Sequence, residues 1–153
     1  MLSVLQKWLN DHDCEELKVE YDTEFEYRIL EDVIAITPNI SYDYDEFMRF
    51  ALSRGLELNP GPWIIAFLHE VGHAKTLLED WLDEWIEDYF ETRDSLQLAA
   101  YMEHPVELAA TDWAVDYINN NQEEIKQLVK DIDNAMNSNV LEVYVNGTKM
   151  EAC

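Results

Sequence analysis

The stretch WIIAFLHEVGHAKTLL, residues 63–78, is apolar almost all the way round. A helix with no broad polar face is buried on several sides, so the rest of the chain must pack around this one. Pro62 suits its first turn, where the amide proton that proline lacks has no intrahelical acceptor. Three polar residues, His69, Glu70 and His73, interrupt the apolar run, with Gly72 among them. A glycine inside a helix costs roughly 1 kcal/mol relative to alanine and often marks close approach of another backbone.

Working outward, residues 2–10 form an amphipathic helix with Leu2, Leu5, Trp8 and Leu9 on one side. From Leu17 the runs LKVEYD, FEYRIL and VIAITP are rich in Val, Ile, Tyr and Phe, which predicts a small antiparallel sheet. Phe25, Tyr27 and Ile29 alternate there with Glu24, Glu26 and Arg28, and Pro38 ends the last strand. Phe47, Phe50, Ala51 and Arg54 open a helix that Gly55 stops, and ELNPGP links it to the central one. After the central stretch, DWLDEWIEDYFETRD (80–94) puts Trp81, Leu82, Trp85, Ile86, Tyr89 and Phe90 on one face and acids on the remainder. Another helix should begin near Pro105 and reach the Asn119–Asn121 cluster, and a last one carries Ile125, Leu128, Val129, Ile132 and Met136. Asn146-Gly147, inside VLEVYVNGTKM, predicts a terminal β-hairpin. The expectation is an α+β fold: one mostly helical domain over residues 1–153, with a small antiparallel sheet near the N-terminus, the central helix and a C-terminal hairpin.

With 153 residues, 48% of them apolar, and with five Trp, eight Tyr and five Phe, the chain can bury a real core. The formal charge of −23 repels phosphate backbones and anionic membranes. Direct nucleic-acid binding and membrane binding are therefore not expected, whereas a basic partner is. No apolar run reaches spanning length, and MLSVLQKWLNDHD lacks the features of a secretory signal, so a cytoplasmic location is expected. Cys14 and Cys153 then read as two reduced thiols.

His69 and His73 are four apart on a helix, so both rings leave the same face one turn apart and can reach one zinc ion. Glu70 is rotated by about a hundred degrees from His69, toward a metal-bound water rather than the metal. The plainer alternative, two buried histidines satisfied by hydrogen bonds, must explain three polar side chains in one apolar helix. Candidates for a third ligand are Glu103, His104 and Glu107 in YMEHPVELAATDWAVDYI. Glu107 is in the first turn of the helix opened by Pro105, and Ala109 and Ala110 let that helix press against another. Capping and the helix dipole also favour a glutamate there, and a histidine at 104 is near the N-cap.

HEVGH (69–73) followed by ELAATDWA (107–114) resembles the zincin metallopeptidases with a glutamate third ligand. More narrowly, the pair is similar to the ImmA/IrrE-type metallopeptidases, through Glu107, Ala110, Trp113 and Ala114. The likeness covers the segment from the strands to Tyr117. It implies one Zn2+ per chain held by His69, His73 and Glu107, with Glu70 as general base toward a zinc-activated water. Many glutamate zincins carry an acid four residues beyond the third ligand, orienting a histidine; this chain has Thr111 there, with Asp112 beside it.

The expected activity is cleavage of a peptide or protein, a basic regulatory protein being one candidate, held extended along an edge strand near Ile34–Thr37. Tyr101 or His104 would stabilise the oxyanion. The alternative is an acidic inhibitory protein that binds a basic DNA-binding partner, with a structural or vestigial zinc; the acidic row from Glu79 to Asp94 favours it. A third option closes the site with that acidic helix, Trp81, Trp85 and Tyr89 acting as a lid.

Overall fold

A computed structural model describes residues 1–77 and 101–145, with side chains as far as Asn137. Among these residues there are five helices and three strands: α1 (Leu2–Asn10), β1 (Lys18–Tyr21), β2 (Glu26–Arg28), β3 (Val33–Ile36), α2 (Asp45–Ser53), α3 (Pro62–Thr76), α4 (Pro105–Asn120) and α5 (Gln122–Val145). The α+β class and the mostly helical content follow from this order. The helix expected from Asp80 lies outside the described residues.

The sheet departs from its expected pairing. Its order is β1-β3-β2, with β3 parallel to β1 (Lys18 opposite Val33) and antiparallel to β2 (Tyr27 opposite Ile34). It is a mixed sheet, and Val33–Ile36 is its central strand rather than an edge. The reason is compositional. All four residues of VIAI are buried, and a run apolar on both faces belongs in the middle of a sheet. β2, with Glu26 exposed and Tyr27 and Arg28 half-buried, takes an edge.

α3 buries ten residues, from Trp63 to His73, and packs on β2, β3, α2 and, most extensively, α4. Gly72 decides how close the last pair comes. A Cβ built on it would lie 2.5 Å from the carbonyl oxygen of Ala110. Only a glycine on α3 opposite a small residue on α4 permits this approach. Arg54, the C-cap of α2, ties that helix to α4 by donating from Nε and Nη2 to the two carboxylate oxygens of Asp112, at 2.7 Å each. Gly55 follows with φ +99°, a left-handed conformation that ends α2 where the sequence predicts.

α1 closes one end of the core with Leu5, Trp8 and Leu9. His12, just beyond it, stacks on Trp8 and bonds Glu124 of α5, whose other oxygen accepts from Tyr117 at 2.5 Å. Cys14 is a buried free thiol, while Cys153 lies outside the described residues.

The expected C-terminal hairpin is corrected in part. Residues 140–145, its first arm, belong to α5, while residues 146–153, with the Asn-Gly turn, lie outside the described residues. Extending an existing helix adds a hydrogen bond per residue fixed, without a new nucleus, and this outweighs the β-preference of Val140, Val143 and Val145. No helix among the described residues is long and apolar enough to cross a membrane.

Candidate metal centre

α3 delivers three groups to one place: ligand atoms of His69, Glu70 and His73 lie within 4.8 Å of one another. The close contact at Gly72 brings in α4. Glu107 Oε2 sits 2.7 Å from His69 Nε2 and 3.2 Å from His73 Nε2. Of the three candidates for a third ligand, Glu107 is the one beside the histidine pair. Glu103 is exposed in the loop before α4. His104 is the N-cap of α4, its Nδ1 accepting from the Val106 amide at 3.3 Å.

These side chains are dry. Exposure is 7% at His69, 8% at His73 and 2% at Glu107, so each polar atom there needs a partner. Glu107 Oε1 accepts from Tyr101 Oη at 2.5 Å, leaving Oε2 to the imidazoles. His69 Nδ1 is 3.0 Å from the hydroxyl of Thr111, itself buried. Thr111 lies four residues beyond Glu107, on the same face of α4. A metal held by Nε2 would leave the proton on Nδ1, which would then donate to Thr111 Oγ1 and fix tautomer and ring orientation. The edge of Phe47 supports the same ring, at a centroid distance of 5.2 Å.

The donor set fits zinc. Two imidazole nitrogens lie within 3.2 Å of one carboxylate oxygen, a His2Glu set, and the second oxygen and Nδ1 of His69 are held from behind. Tetrahedral ligation with bonds of 2.0–2.1 Å sets donors about 3.3 Å apart. The 2.7 Å and 3.2 Å separations therefore need to open by about 0.6 Å and about 0.1 Å.

The charges agree with this grouping. Burial alone would raise Glu107, but the adjoining His69 and His73, through charge and hydrogen bonds, hold it well below the usual carboxylate range. Burial would lower His73, yet Glu107 and Glu70 push it up. Burial raises Glu70, with the two imidazoles and the Tyr27 amide opposing and Glu107 adding to the rise.

Glu70 reaches the sheet, where its Oε2 accepts from the Tyr27 amide of β2 at 2.7 Å. That amide therefore faces away from β3, along the open edge of the sheet. A groove of about 670 Å3 follows this edge, lined by residues 24–31 together with Glu70, His73, Leu77 and Tyr101. The edge strand facing the site is β2, not the segment Ile34–Thr37 expected from the sequence, because β3 is covered on both sides. Glu24, Glu26 and Glu31 line this groove, and Arg28 among them is paired with Asp22, Glu26 and Glu31.

The sequence marks the position of Thr111 but not its bond to His69, and it does not point to the Tyr27 amide at all. For Thr111 a signal exists: four residues after Glu107 on a helix, it shares that residue's face. For the amide none exists, since it depends on which strand takes the edge. No protein-family model, no curated protein and no solved structure matches this chain.

Proposed function

We propose that this chain is a zinc-dependent metallopeptidase, of the kind that the ImmA/IrrE resemblance implies, with His69, His73 and Glu107 as metal ligands. The observation that carries the reading is the position of Glu107 Oε2, within 3.2 Å of both imidazoles although it comes from a different helix. Zinc, when bound there, supplies a Lewis acid that polarises a carbonyl and acidifies water. Glu70 borders the same groove, and burial raises its carboxyl above the ordinary value, the direction that suits a general base. It takes the proton of the attacking water and returns it to the leaving amine. Tyr101 Oη is engaged with Glu107, which suits it to orienting that ligand; serving an oxyanion would require it to leave this bond. His104 caps a helix, which leaves its Nδ1 no part in such a role.

The substrate is an extended peptide beside β2, adding main-chain hydrogen bonds at the sheet edge. The carboxylates of the groove and the charge of −23 favour a basic one. The test is a comparison of wild type with Glu70→Gln. Both should hold about one zinc per chain, and only wild type should cleave a mixed-sequence peptide library. Full cleavage by Glu70→Gln would remove Glu70 from the chemistry.

A second reading has a specific observation in its favour. The acidic rim suits an inhibitory protein that covers the DNA-binding face of a basic partner, with zinc as structural support. In that case Glu70→Gln should keep the full inhibitory effect, whereas loss of effect with retained zinc supports the peptidase.

A further inference from the structure

A second cavity, of about 360 Å3, opens on the other side of Glu70. Glu24, Phe25, Glu70 and Tyr101 border both cavities, so the two share walls and meet at the general base. His73 faces the groove, while His69 and Glu107 face the second cavity. A chain lying along β2 therefore passes the metal ligands with this cavity within reach of one side chain.

Its walls are aromatic. Phe25, Tyr42, Tyr44 and Phe47 line it, with Ala66 and Met102. The rings form an unbroken series: Phe25 meets Tyr42 edge-on at 5.2 Å, Tyr42 meets Tyr44 at 5.9 Å, and Tyr44 stacks on Phe47 at 5.9 Å. Phe25, Tyr42 and Tyr44 are each only half-buried, leaving ring surface turned to the opening. Of the carboxylates that reach the cavity, Glu70 is engaged with the Tyr27 amide and Glu107 with two imidazoles and Tyr101, while Glu24 is exposed on the wall shared with the groove. The other acids near β2, Glu26 and Glu31, line the groove and not this cavity. Aromatic pairs gain attraction beyond the area they bury, so a ring is the guest these walls favour.

We infer that this cavity is a specificity subsite for an aromatic side chain of the peptide substrate, formed by Phe25, Tyr42, Tyr44 and Phe47 beside the metal ligands. The inference rests on the metallopeptidase reading for the identity of the ligand as a peptide, but the walls themselves do not depend on zinc.

The experiment uses zinc-loaded full-length protein and one series of capped basic hexapeptides that differ at a single position: Gly, Ala, Lys, Leu or Phe. Cleavage is followed by mass spectrometry, and binding of the same peptides to Glu70→Gln by calorimetry. The expected result is a preference for Phe over Ala of roughly tenfold or more in kcat/KM, matched in binding. Two wall variants carry the inference. Tyr42→Ala should reduce the preference, and Ala66→Leu, which fills the cavity, should shift it toward Ala and Gly, with zinc content unchanged in both. Equal treatment of Phe and Ala, or a preference that neither variant moves, overturns the subsite. If no peptide is cleaved but Glu70→Gln and wild type both bind the Phe peptide selectively and Ala66→Leu abolishes this, the peptidase reading fails and the subsite stands.

Discussion

Two faces meet at Glu70, and they are built in opposite ways. The α3–α4 face is dry and tightly packed: Gly72 touches the Ala110 carbonyl, and His69, His73, Glu107 and Thr111 have almost no exposure. The β2 face is open and charged, with half-buried rings, exposed carboxylates and a sheet edge that no strand among the described residues pairs. The first suits a role in which atoms must converge to within a fraction of an ångström. The second suits a role in which a ligand supplies the missing contacts. A side chain's consequence should therefore depend on which face holds it, with metal binding governed by the first and substrate choice by the second.

The largest effect should come from Gly72→Val. Its side chain enters the space of the α4 backbone, so the two helices must separate, at a cost of about 1–3 kcal/mol or more. Thermal melting should fall by several degrees and zinc should be lost, because Glu107 moves off the histidine pair. A variant with unchanged zinc affinity would break the link between helix spacing and the ligand set.

Next is Thr111→Val, which keeps the volume and removes the hydroxyl beside His69 Nδ1. Loss of such an outer partner weakens metal binding by roughly 10–100-fold. Thr111→Ser should restore most of it, which a purely steric role would not explain.

The pH dependence of the metal-free protein has a definite sign. Glu107 is depressed, so its contribution to stability is present above its ordinary value of 4.5 and is lost as pH falls through its lowered folded value. His73 is raised, so its contribution is full below its ordinary value of 6.5 and is lost as pH rises through the folded value. Metal-free protein should thus melt highest in the weakly acidic range. Zinc affinity should rise with pH instead, because ligation needs neutral imidazoles.

The smallest effect belongs to a contact on the outside of the dry face. Arg54 and Asp112 are each more than a third exposed, so Arg54→Ala should cost no more than about 1 kcal/mol and leave zinc content unchanged.

The two faces also differ in how far the sequence discloses them. HEVGH, Gly72 and the Ala109–Ala110 pair specify a buried helix, a ligand spacing and a close helix crossing, all of which are local signals with one geometric reading. Glu107 follows once the crossing is accepted. The sheet is less legible, because three short runs fix neither their order nor their direction. The buried character of VIAI decides the order, and this depends on what covers each face. The aromatic wall is hidden for the same reason: Tyr42 and Tyr44 lie in a turn-rich segment whose partners, Phe25 and Phe47, come from other parts of the chain. At the C-terminus, Val-rich residues 140–145 favour a strand locally, and α5 overrides them.

The central claim is that one carboxylate from α4 completes a site begun by two imidazoles on α3. The direct measurement is a zinc titration of metal-free wild type and Glu107→Gln, with a chelator in competition. Wild type should bind one zinc per chain, and Glu107→Gln should bind it at least about 100-fold more weakly while keeping its fold. No zinc binding by wild type, or equal affinity in the two proteins, would contradict the account.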